Sequence, residues 1–184
     1  MSGSGQEAPH DPAAKLRALL AELPVEQLTP VFTHSSWTTR RSESYERLAF
    51  LGDSVLALAV TSHLYPTLEA DRFGPGRLTK IRAQAVSGRS CRTVAERLGV
   101  PERLAAAAPP EAASTVPALI TTERVLASVI EAVIGACFLA FGYERTYEVV
   151  ALVEGCRLGS GRGRSKKHAE QQAAREAVGR LDVQ

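Results

Sequence analysis

The chain has 184 residues, of which 45% are hydrophobic and 23% charged, with a formal net charge of +2. That composition can fill the core of one ordinary domain with a small appendage, and it excludes a low-complexity or collagen-like chain. Cys91, Cys137 and Cys156 lie far apart, which argues against both a disulfide framework and zinc-type spacing and leads us to expect a reducing, cytoplasmic setting.

The charge is uneven. Between Gly155 and Arg180 there are seven Lys/Arg and two acids, so the remainder is slightly acidic. A near-neutral body with a basic end implies contact with a polyanion, although a solvated basic surface gives the same pattern. Residues 1–11 are polar, with no basic-then-apolar signal pattern, and are expected to be disordered. The apolar run Val125–Phe141 contains Glu131 and is expected to be a core helix rather than a membrane span; no membrane partner is expected.

Asp11-Pro12 reads as a helix start, with Leu16, Leu19 and Leu20 on one face and Pro24 as the stop. A short helical stretch is expected at 30–37 and a polar loop at 38–44. Tyr45–Leu64 is the strongest helix, with Leu48, Leu51, Val55 and Leu58 at helical spacing. Pro75-Gly76 opens another helix to about Val86. Ser87–Ser90 breaks it, and 89–98 resumes until Gly99 and Pro101. The Ala/Pro-rich segment 105–120 reads as loop. Thr121 or Thr122 caps a long apolar helix to Leu139, closed by Gly142, and a further helix covers about 146–154. The glycine-rich stretch 155–163 reads as a turn or short strand, and Ser165 caps an amphipathic helix, 166–181. The body is therefore all-α.

Glu46 and Asp53 are seven apart on one predicted helix and so point the same way. Glu131 sits among Ile130, Val133 and Ile134 on another. Carboxylates on apolar helices need a partner. A divalent cation between the helices is one, and an ion pair with Arg47, Lys80 or Arg124 is another.

The run Glu46–Leu56, ERLAFLGDSVL, resembles the signature helix of the ribonuclease III family, ERLEFLGDSVL. In order around it, Phe32–Trp37 resembles the family's THRSY segment, Gly76–Ala83 its GELTRLRA helix, and Leu126–Ala136 its LADxxEALIGA helix. The resemblance covers about residues 15–150 and implies an all-α ribonuclease III-like helical domain over 12–154. It also implies a homodimer, with Phe50 plugging a partner's pocket and Gly52 beside it, and Mg2+- or Mn2+-dependent hydrolysis of double-stranded RNA. The family's four metal carboxylates fall on Ala49, Asp53, Ser128 and Glu131. Two therefore survive, with Glu46 a third candidate catalytic acid, so the resemblance implies weak metal binding and impaired activity. The alternative is a catalytically dead RNA-binding scaffold.

Residues 158–174 are similar to the last strand and final helix of a double-stranded RNA-binding domain, GxGRSKKxAEQxAA. We read 155–184 as a C-terminal fragment, strand plus helix, of such an α/β domain. Arg162, Arg164, Ser165, Lys166, Lys167 and His168 are the expected phosphate contacts at a helix N-terminus. The domain's first helix and two earlier strands have no room between Val153 and Leu158, so part of it is missing here.

Overall fold

The computed structural model describes residues 12–155, with side chains over 17–150; the basic segment 162–168 lies outside the described residues. Every regular element among the described residues is helical. In chain order these are α1 (Pro12–Glu22), α2 (Val25–Val31), α3 (Glu46–Thr67), α4 (Pro75–Ala85), α5 (Gly88–Arg97), α6 (Val100–Ala107), α7 (Val116–Leu119) and α8 (Glu123–Gly155), with short 3-10 turns between some of them.

The frame is α3 packed on α8. Leu126, Val129, Ile130, Val133, Ile134 and Cys137 of α8 are all buried, as are Val55, Leu56, Ala59 and Val60 of α3. The helices touch backbone to backbone. A Cβ on Gly52 would lie 1.7 Å from the Glu131 carbonyl oxygen, and one on Gly135 2.3 Å from that of Leu48. Only hydrogen fits at either position. Helix α5 covers another side of α8, α4 lies on α3, and α1, α2 and α6 complete the packing around α8.

Several boundaries differ from expectation. Helix α2 begins at Val25 and carries Pro30 near its end, and the 3-10 turn Ser35–Trp37 is separate from it. The segment 105–120 is not simply a loop: α6 ends inside it, and a 3-10 turn and α7 follow. Helix α8 runs on to Gly155, but Gly142 (φ 75°) interrupts it, and the buried Thr146 hydroxyl donates to the Gly142 carbonyl at 2.8 Å to restart the helix. By length and composition Glu46–Thr67 and Glu123–Val150 are each long and apolar enough to cross a bilayer. In the fold they pack on one another, and 61% of the apolar window in the second is buried.

Candidate metal centre

The Gly52–Glu131 contact sets the site. Asp53 follows Gly52, so the crossing that needs a glycine also brings the Asp53 carboxylate beside Glu131. Burial pushes the Glu131 carboxyl up to about 7, and the Asp53 carboxylate adds to that. Asp53 is exposed and Glu131 half-buried, so neither is sealed in the core.

Among the described residues no ion pair or hydrogen bond joins either carboxylate to another group. Arg47, Lys80 and Arg124, the bases the sequence offered as partners, do not take that role. Two adjacent carboxylates without a cation repel, and the two remedies are to share a proton or to admit a cation. Position 49 precedes Asp53 by one turn and position 128 precedes Glu131 by three residues, so each pair lies on one face of its helix. Ala49 is 6% exposed and offers no donor atom; Ser128 is half-buried and offers a neutral hydroxyl.

This donor set fits one hard cation. Magnesium is commonly held by one or two carboxylates, with water and substrate phosphate completing its shell. It does not fit a two-ion cluster, and among the described residues no group of three or more His, Cys, Asp or Glu side chains forms a metal cage.

Glu46 does not join the pair. Two helical turns, about 10 Å along the axis, separate it from Asp53. Its charge acts instead on His34 and Tyr45. His34 was assigned no role from the sequence. Its ring lies 5.8 Å from Trp37 and 5.7 Å from Tyr45, with Nδ1 2.8 Å from the Ser36 hydroxyl, and burial holds it below the usual histidine value. No helical period marks such a cluster, because it is assembled by a 3-10 turn.

Phe50 is 81% exposed. It borders an open cleft of about 740 Å³ whose lining includes Pro30, Leu48, Leu51 and Leu139, with Glu26, Arg41, Glu46 and Arg47 as charged members. Gly52, expected beside Phe50 at a dimer contact, faces α8 of its own chain instead, because its missing side chain is what lets the two backbones meet.

A Ribonuclease-III-like family model matches residues 26–153. The chain belongs to the ribonuclease-III-like family. A double-stranded RNA binding motif model matches 142–181, so the two matches share 142–153, the part of α8 beyond the Gly142 kink. Among curated relatives, Ribonuclease 3 of Zymomonas mobilis is 34% identical over 144 residues, covering 77% of this chain and 49% of that protein. Ribonuclease 3 of Rhodopseudomonas palustris is 38% identical over 126 residues, covering 67% and 44%. The matched part thus spans about half the length of these two relatives. Ribonuclease 3 of Thermobifida fusca is 29% identical over 212 residues, covering 85% of this chain and 86% of its own. That aligned stretch is longer than all 184 residues here, so it includes internal sequence with no counterpart in this chain. The crystal structure of the nuclease domain of ribonuclease III from Campylobacter jejuni has the same fold, with a TM-score of 0.64 at 29% identity, covering 78% of this chain and 95% of that one. A second structure of that domain concerns flexibility in a region involved in its dimer formation.

Proposed function

We propose that this chain is an endoribonuclease of ribonuclease III type that hydrolyses phosphodiester bonds in double-stranded RNA with one divalent cation, Mg2+ or Mn2+, held by Asp53 and Glu131. The observation that carries the reading is the unpaired Asp53–Glu131 couple at the Gly52 crossing. Family membership supports the reaction class, and the motif match over 142–181 supports the duplex as ligand.

A divalent cation, when bound, supplies an activated water and a Lewis acid for the departing oxygen. Glu131 must give up its proton to act as a ligand, so proton and cation compete for it and cation binding weakens as pH falls. The Ser128 hydroxyl can orient a water by hydrogen bonding but brings no charge. With two acids gone, activity is weaker than a four-carboxylate site would give. Phe50 and its neighbouring cleft support a two-fold homodimer, in which each protomer's ring fills the other's cleft and the two sites serve opposite strands.

The test is cutting of labelled duplex RNA by the wild type, Asp53→Asn and Glu131→Gln in Mg2+ or Mn2+. Metal-dependent cutting lost in both variants is expected. Ala49 and Ser128 favour the rival reading, a non-catalytic RNA-binding scaffold, and duplex binding without cutting at any metal concentration would establish that instead.

A further inference from the structure

We infer that Arg124 is a phosphate-binding residue of this site, gripping the RNA strand next to the bond that Asp53 and Glu131 address. The inference rests on the proposed cleavage of duplex RNA at Asp53 and Glu131. Arg124, Ser128 and Glu131 stand at i, i+4 and i+7 in α8 and so share a face, with Arg124 about 10 Å along the axis from Glu131.

Arg124 is exposed, and among the described residues its guanidinium has no ion pair or hydrogen bond. The acids around it leave it unclaimed. The Glu123 carboxylate lies instead against Gly88 at the start of α5, with Oε1 3.0 Å from where a Cβ on that glycine would sit. Glu46 and Arg124 act on the same Tyr45 hydroxyl, with opposite effects, yet form no ion pair with each other. Tyr45 immediately precedes α3, so Arg124, whose charge acts on the Tyr45 hydroxyl, belongs to the end of α3 where Ala49 lies.

The two lost carboxylates give this charge its use. An acid at 128, one turn from Arg124, would compete for the guanidinium as an ion-pair partner. With Ser128 there, the guanidinium stays available to a phosphate, whose oxygens match its two-pronged donor geometry. It supplies positive charge to the RNA backbone at a site that fits one cation rather than two.

The test uses the full chain and a labelled RNA duplex, with binding read by fluorescence anisotropy over a salt series without divalent cation. Arg124→Gln is expected to weaken binding roughly fivefold to tenfold at low salt and to lower the slope of log affinity against log salt by about one. Arg124→Lys should keep the slope. Arg92→Gln, which breaks an ion pair with Glu96 on α5, should leave both unchanged. An unaltered slope in Arg124→Gln, or an equal drop in Arg92→Gln, overturns the assignment. Mn2+-dependent cutting is scored in parallel. Cutting that needs Asp53, with no slope change at Arg124, sinks only the arginine's role. A lowered slope with no cutting by the wild type sinks the nuclease reading and leaves the phosphate contact standing.

Discussion

At the scale of single residues, Glu131 carries a pH dependence whose sign follows from its environment. Its folded value is raised from 4.5 to about 7, by burial first and by Asp53 second. Below 4.5 the carboxyl is protonated in both folded and unfolded chains and contributes nothing. As pH rises from 4.5 toward 7 the unfolded chain ionises while the folded one resists, so stability falls through that window and then levels. Glu131→Gln should flatten this part of the profile and raise the urea midpoint at pH 8 over the wild type, with no difference at pH 4. Equal profiles for both proteins would show that the Glu131 environment is not as described. The sequence named Asp53 and Glu131 because apolar helices rarely carry unpaired acids. It left open whether a cation or an arginine neutralised them, since that depends on a crossing between segments some 80 residues apart. It also grouped Glu46 with Asp53: the helical period aligns their directions, but two turns hold them about 10 Å apart along the axis.

At the scale of elements, the α3–α8 crossing is the feature most exposed to mutation. Gly52→Ala puts a methyl group into the Glu131 carbonyl, and neither backbone can yield cheaply. The expected loss is about 3 kcal/mol of unfolding free energy by denaturant titration. Gly76→Ala on α4 meets nothing within 4 Å and should be neutral or stabilising by up to about 1 kcal/mol. Equal effects at the two positions would mean the helices do not meet at Gly52. Helices α3, α4 and α5 were legible because their starts and apolar stripes agree. Helices α6 and α7 were not. Pro101 and Pro117 look like breakers, yet each stands in the first turn of its helix, where a missing N–H costs nothing. The break at Gly142 was legible, since a left-handed residue at a helix end is most often glycine.

At the scale of the whole molecule, Phe50 and the cleft beside it set the expected assembly. Sedimentation velocity should find a dimer for the wild type and a monomer for Phe50→Asp, with an unchanged thermal midpoint at matched low concentration, because the ring is 81% exposed in the single chain. A variant that still dimerises would remove Phe50 from the interface. The RNA-binding motif match shares the second part of α8 with the nuclease-like match, so whatever extends beyond Gly155 starts from a helix whose Thr146, Val149 and Val150 are locked into the core. In the proposed reaction a single cation, held by two carboxylates, serves the cutting of a duplex. Initial cleavage rate against Mn2+ concentration tests it most directly. A single-site dependence, with a Hill coefficient near one and a rate at least about a hundredfold lower in Asp53→Asn, is the predicted result; a coefficient near two, or cutting indifferent to Asp53, would contradict it.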